Sequence, residues 1–221
     1  MSKTTPSTSK RRYVERPDIR AKLLDAAEAI IRDEGYAAAT ARRIASHVGL
    51  KHQVIFYYFG SQDELLIEVY RRAAQAYRAK LTAALESGKP VSAMWNVHRD
   101  PDVTRFTLEF MALAIHNDVI RAELAREAET VRQIEAEAVG AYLKQRGIEP
   151  RLSPQMVSIL TNSLARLLVQ ESALGIESGH SEIEAMVEFS LRSFETEGVT
   201  TNVMEEIVAP ITGVHKHKDT T

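Results

Sequence analysis

The sequence predicts an all-α protein: a small N-terminal three-helix domain ahead of a larger helical body. Three observations predict it. Strand-like alternation of apolar and polar residues is scarce, and Ala, Leu, Glu, Arg and Ile dominate the chain. The 10 glycines and 7 prolines of the 221 residues fall mostly between segments whose apolar residues recur at helical spacing. Residues suited to capping helices, among them two Ser-x-x-Glu boxes, open several of those segments.

Taken in order, Met1 to Val14 is polar and rich in Ser and Thr, and it reads with the next two residues as a flexible basic arm, 1–16. The first helix is expected from Pro17 to Glu34, with Ile19, Leu23, Ala26, Ala27 and Ile30 on one face and Gly35 as its stop. Thr40 caps a short helix from Ala41 to His47, Gly49 makes a turn, and a third helix runs from Lys51 to Tyr58 until Gly60 breaks it. These helices make up a domain over 17–60. Ser61-Gln62-Asp63-Glu64 then opens a long helix to about Leu85, and a short helix covers Val91 to Val97. Asp100 and Pro101 start a helix reaching His116, Asp118 to Gln145 forms a long amphipathic one, and Ser153-Pro154 begins another that ends near Gly175. Ser181-Glu182-Ile183-Glu184 is read as a second capping box, opening a helix to Glu197. The body is thus 61–198 and the C-terminal tail 199–221.

Composition excludes whole classes of chemistry. With no cysteine there is no disulfide framework, no thiolate nucleophile and no Cys-ligated zinc. No HExxH, GxSxG, GxGxxG or Walker sequence occurs, and the seven histidines are scattered. The expectation is a protein that is not an enzyme and holds neither cofactor nor metal. No apolar run is long enough to span a bilayer and no apolar signal core follows the start, so a cytoplasmic location without a membrane partner is expected.

The net charge of −2 hides an uneven distribution. Residues 1–60 carry 11 Lys or Arg against 6 Asp or Glu, a balance of +5, while the remainder carries 17 against 24, a balance of −7. A basic head on an acidic body is the pattern of a chain that meets a polyanion with one end, although solvated helix faces would give it too. The order of elements at that end sharpens the reading. The run Gly35-Tyr36-Ala37-Ala38-Ala39-Thr40-Ala41-Arg42-Arg43-Ile44-Ala45-Ser46-His47-Val48-Gly49-Leu50, followed by Ile55-Phe56-Tyr57-Tyr58-Phe59-Gly60-Ser61-Gln62-Asp63-Glu64-Leu65, resembles the DNA-binding domain of TetR regulators. The resemblance implies a helix-turn-helix whose second helix enters the major groove of duplex operator DNA, a homodimer, and repression relieved by a small molecule bound in the body.

The residues themselves fit that expectation. Lys51, His52 and Gln53 stand at the start of the recognition helix, where Gln53 suits adenine N6 and N7 and His52 or Lys51 suits guanine. Arg42 is the fourth candidate for a base contact. Phosphate contacts are expected from Thr40, Arg43, Tyr57, Tyr58 and Gln62, with Thr40 equally readable as an N-cap and Tyr58 as core. Three positions depart from the family pattern: Lys51 stands where a small hydroxyl residue usually caps the recognition helix, Phe56 replaces a tyrosine, and Gln62 replaces a phosphate-binding lysine. Lys10, Arg11, Arg12 and Arg16 of the arm offer compensating charge.

In the body, Met156, Ile159, Leu160 and Leu167 recur at helical spacing, as do Ile183, Val187, Leu191 and Phe194. The resemblance makes these two helices the dimer interface; the plainer reading is intramolecular core. Met94, Trp95, Phe106, Phe110 and Met111 would line an apolar cavity, with His98, His116, Asn162 or Arg166 as polar contacts for a largely apolar effector of unknown identity. Core packing is again the plainer reading. Two further alternatives are an activator of the same fold and a helical interaction protein without ligand response.

Overall fold

The computed structural model describes residues 17–148, 152–192 and 194–195. Among them it contains nine α-helices and no strand: α1 (Pro17–Glu34), α2 (Ala41–His47), α3 (Gln53–Phe59), α4 (Gln62–Leu85), α5 (Pro90–His98), α6 (Pro101–Ala114), α7 (Asp118–Gln145), α8 (Pro154–Ala173) and α9 (His180–Arg192), with one turn of 3-10 helix at Tyr36–Ala38. The basic arm, the charged residues in it and the C-terminal tail lie outside the described residues. The chain divides into two compact units, up to Arg72 and from Ala73. The boundary falls inside α4, beyond the expected one at residue 60.

Ion pairs explain why the start of α4 belongs to the first unit. Arg72 on α4 reaches Asp25 at 2.5 Å and Glu28 at 2.7 Å on α1, and Arg20 on α1 pairs with Glu68 on α4. Beneath them Leu23, Ala27, Ile30 and Ile31 of α1, Ile44 and Ala45 of α2, Ile55 of α3 and Leu65 and Val69 of α4 are all buried. The apolar spacing read from the sequence is therefore the core of this unit.

The predicted caps form with one exception. Thr40 Oγ1 accepts from the Arg43 amide, Ser61 Oγ from Glu64, Asp100 Oδ1 from Asp102 and Val103, and Ser153 Oγ from Met156; Asn117, which the sequence did not mark, also caps, its Oδ1 accepting from Val119 and Ile120. The second capping box does not form. Helix α9 begins one residue earlier, at His180, so Ser181 is already inside it; its hydroxyl donates to Glu182, and Glu184 is drawn to Arg99. Helix α5, whose start at Pro90 has no cap of its own, is closed by a distant residue. The Glu195 carboxylate accepts from the Val91 and Ser92 amides at 2.9 and 3.0 Å.

Among the described residues of the second unit, two apolar clusters stand out. Leu81, Met94, Val97, Val131, Val139, Tyr142 and Leu143 form one; Trp95, Ala165 and Leu168 form the other, with Ile183, Val187 and Leu191 of α9 packed against it. No described helix is long and apolar enough to cross a membrane.

Candidate nucleic-acid interface and the helical body

Helices α2 and α3 are held at a fixed turn by backbone chemistry. The Leu50 amide donates to Ala45 at 2.8 Å and the Gly49 amide to Ser46 at 3.1 Å, which satisfies the last carbonyls of α2. Gly49 sits at φ +71, and an added Cβ would meet nothing within 4 Å, so backbone conformation and not space demands glycine here.

Lys51 does not cap α3, which begins at Gln53, and its predecessor His52 makes no side-chain cap either. The first turn closes instead through backbone bonds, from the Val54 amide to Lys51 at 3.0 Å and from the Ile55 amide to His52 at 3.1 Å. The three side chains read as base contacts, Lys51, His52 and Gln53, are consequently all exposed, and so is Arg42 on α2. The inward face of α3 is Val54, Ile55 and Phe59. Its outward face continues through Phe56 and Tyr57, each 49% exposed, with the Phe56 ring edge-on to His52 at 6.4 Å. Phe56, equally readable as core from the sequence, faces outward: in a run of four aromatics nothing separates an inward ring from an outward one until the helix phase is fixed.

The phosphate candidates divide. Thr40 is exposed and caps α2, Arg43 is exposed and paired with Glu34 at 2.8 Å, and Tyr57 and Tyr58 pack edge to face at 5.0 Å with Tyr58 half-buried. Gln62 has a different local task. Its Oε1 accepts from the Ala41 amide at 3.0 Å and its Nε2 donates to the Ala39 carbonyl at 3.3 Å, so it clasps the entry to α2. With Thr40 serving the Arg43 amide, two of the open donors of that helix start are satisfied from two different places in the chain.

In the body, the pocket candidates separate by helix face. Met94, Trp95, His98, Phe106 and Phe110 are buried, Asn162 and Arg166 are half-buried, and Met111 and His116 are exposed. Phe106, Phe110 and Ala114, four residues apart, make the inward stripe of α6, so Met111, about 100° around the helix from Phe110, points out. His98 is not isolated. Its Nε2 lies 2.6 Å from Glu135 Oε1, its Nδ1 2.7 Å from Tyr77 Oη, and Ser158 Oγ donates to the other Glu135 oxygen at 2.6 Å. Burial pushes the Tyr77 phenol well above its ordinary value, against the opposing charge of Arg166. A phenol kept protonated donates to Nδ1, which leaves the Nε2 proton for Glu135.

The dimer candidates separate in the same way. Met156, Ile159, Leu160 and Leu167 are exposed on α8, whereas Ile183, Val187 and Leu191 turn inward onto Trp95, Ala165 and Leu168, and Phe194 stacks at 5.5 Å on Tyr142. The large apolar residues that α9 does expose are Met186 and Phe189. Phe189 had not been singled out, because the inward stripe carries the stronger periodic signal.

A helix-turn-helix head thus precedes a helical body, and comparison with known proteins bears on both parts. Residues 23–69 match the family of bacterial regulatory proteins called the tetR family. The HTH-type transcriptional regulator BetI of Rhizobium meliloti (strain 1021) is 33% identical over 116 residues, covering 50% of this chain and 56% of that protein. The chain thus aligns with little more than half the length of that curated relative. Among solved structures, a transcriptional regulator from Saccharomonospora viridis in complex with choline superposes with a TM-score of 0.63 at 20% identity, over 72% of this chain and 88% of that one. Salmonella enterica GusR gives a TM-score of 0.59 at 15% identity over 85% and 98%. At such identities the structural likeness is one of fold. The sequence match to the tetR family thus covers the N-terminal unit of the chain.

Proposed function

We propose that this protein is a homodimeric transcriptional regulator that binds a palindromic operator in duplex DNA, represses from it, and is released by a small molecule bound in the body. The observation that carries the reading is the outward row Lys51, His52, Gln53, Phe56 and Tyr57 on a helix whose other face is domain core. A groove-reading helix needs that division between a rigid inner face and donors, acceptors and an apolar group outside. Gln53 and His52 then choose bases with help from Lys51 and Arg42, Phe56 meets a thymine methyl, and Thr40, Arg43 and Tyr57 take phosphates. Gln62 acts on phosphate indirectly, by fixing the α2 entry. Exposed Met156, Ile159, Leu160 and Leu167 on α8 with Met186 and Phe189 on α9 form an apolar surface suited to a two-fold dimer. A protein of this fold has been crystallised in complex with choline, which supports a small-molecule effector here without naming it.

The test is selection of bound fragments from the source genome by the full-length chain, followed by titration at several salt concentrations. A recovered inverted repeat whose affinity falls steeply with salt is the expected result. Retention of no duplex above background at low salt overturns the reading.

A further inference from the structure

Helix α5 does not complete its own start. Pro90 has no amide hydrogen, Lys89 makes no side-chain cap and the Ala93 amide already donates to the Lys89 carbonyl at 2.9 Å, so the open donors of the first turn are the Val91 and Ser92 amides. Glu195 takes both from 104 and 103 residues further along the chain, and the Ser92 hydroxyl donates to its other oxygen. Among these donors Glu195 is buried, at 3% exposure. The far end of α5 leans on the same neighbour, α9: Arg99, the C-cap residue of α5, lies 5.3 Å over the Trp95 ring and pairs with Glu184. A nine-residue helix is marginal by itself, so α5 is only as ordered as the contacts that hold its two ends.

The holder is itself thinly attached. None of the 13 residues of α9 is buried. Its base is pinned to the end of α8, where His180 Nε2 lies 2.9 Å from Glu171 Oε2, and the connection in between carries Gly175 at φ +76 and Gly179 at φ +83 with open space around both. From that base Ile183, Val187 and Leu191 rest on the cluster of Trp95, Ala165 and Leu168. Beyond α9, Glu195 closes on α5, and the Phe194 carbonyl accepts from the Tyr142 hydroxyl at 3.2 Å. At about 100° per residue Phe189 stands opposite the inward stripe, and it is 55% exposed. A helix with no buried residue, fixed at its base and by a few polar contacts further on, is the element that opens first in local unfolding.

Opening α9 has a defined consequence for α5. It uncaps the helix at one end, removes the Glu184 ion pair at the other and uncovers Trp95 between them. It also loosens His98, through which α5 joins Tyr77 of α4 to Glu135 of α7. We propose that α9, with Phe194 and Glu195, is a strap whose docking decides whether α5 is ordered, and that a second copy on the outer face of α9 holds the strap shut. The second half rests on the reading of that face as the dimer surface. A partner that binds only the docked strap stabilises it by mass action. The coupling is reciprocal, so a change that loosens the strap from inside weakens the dimer as well.

Trp95 is the only tryptophan of the chain, so its fluorescence reads the strap directly. Acrylamide quenching, amide hydrogen exchange and sedimentation equilibrium are measured on the full-length protein and on Glu195→Ala, Glu195→Gln and Phe189→Glu. Glu195→Ala is expected to make Trp95 several-fold more quenchable and to speed exchange of the α5 amides about tenfold, with the middle of α7 as protected as in the parent. Glu195→Gln keeps an acceptor for both amides and a donor for the Ser92 hydroxyl, and stays close to the parent. Although Glu195 is buried against α5, its change to alanine should also weaken the dimer by about tenfold, and Phe189→Glu should release Trp95 from the outer side. Trp95 and α5 as protected in Glu195→Ala as in the parent overturn the strap. So does a uniform loss of protection throughout the body, because α5 then has no opening of its own. A strap that opens with the dimer constant unchanged overturns the hold of the second copy. A parent that is a monomer at every concentration sinks the dimer reading together with that hold, while the Glu195→Ala exchange and quenching still decide the strap.

Discussion

His98 and Glu135 meet at 2.6 Å with neither side chain exposed to solvent. The pair lies between Tyr77 and Ser158 in one continuous chain of hydrogen bonds crossing α4, α5, α7 and α8. Its loss from one side should be expensive, because the surviving partner stays buried. His98→Ala is expected to destabilise the second unit by about 3 to 5 kcal/mol, and Ser158→Ala, which leaves Glu135 its histidine, by about 1 to 3 kcal/mol. Urea unfolding followed by circular dichroism measures both, and equal small losses would contradict the buried-network account.

Base choice and phosphate anchoring should separate by mutation at the outward face of α3. Gln53→Ala is expected to cost about 1 to 3 kcal/mol at particular operator positions and to relax preference there, whereas Tyr57→Phe weakens binding to all site variants alike. Phe56 adds a further check. Replacing thymine by uracil at the contacted position should weaken the parent protein and leave Phe56→Ala indifferent. Equal sensitivity of both proteins to that methyl removes Phe56 from the interface.

Dimerisation should depend on the outward faces of α8 and α9 and not on the inward one. Leu160→Glu with Phe189→Glu is expected to yield a folded monomer, since both positions are exposed in the single chain. Leu191→Glu, which drives a charge into the Trp95 cluster, should instead unfold the body. Sedimentation velocity with circular dichroism distinguishes the two outcomes; a dimer that survives the double substitution places the interface elsewhere.

Acid should loosen the first unit through Glu28. Partial burial raises its carboxyl, but hydrogen bonds from Arg72 and Arg32 together with their charges outweigh that and hold it below the ordinary carboxylate range. A carboxylate lowered on folding contributes stability that is complete above its unfolded pKa and is lost as pH falls through the folded one. Glu28→Gln should therefore lower thermal stability at pH 7 and flatten the dependence of Tm on pH below about 4. A Tm profile parallel to that of the parent down to pH 3 would show that the Arg72 clamp adds nothing.

Much of this was determined by the sequence alone, because it rests on local interactions. Helix starts at Thr40, Ser61, Asp100 and Ser153 are legible since a cap bonds to an amide two or three residues away. The Gly49 turn and the exposed Lys51-His52-Gln53 follow from the same short-range logic, and the run that resembles the TetR head overlaps the matched residues 23–69. Tertiary structure decided whatever depends on helix phase or on a remote partner. Which of two apolar stripes faces in cannot be read from one helix, so Leu191, readable as interface or as core, turns inward while Phe189 faces out, and Met111 leaves the interior that Phe110 keeps. Gln62 on Ala41 and Glu195 on Val91 join residues 21 and 104 apart in sequence. Such bonds have no local signal, because only the packing of helices distant in the chain brings donor and acceptor together.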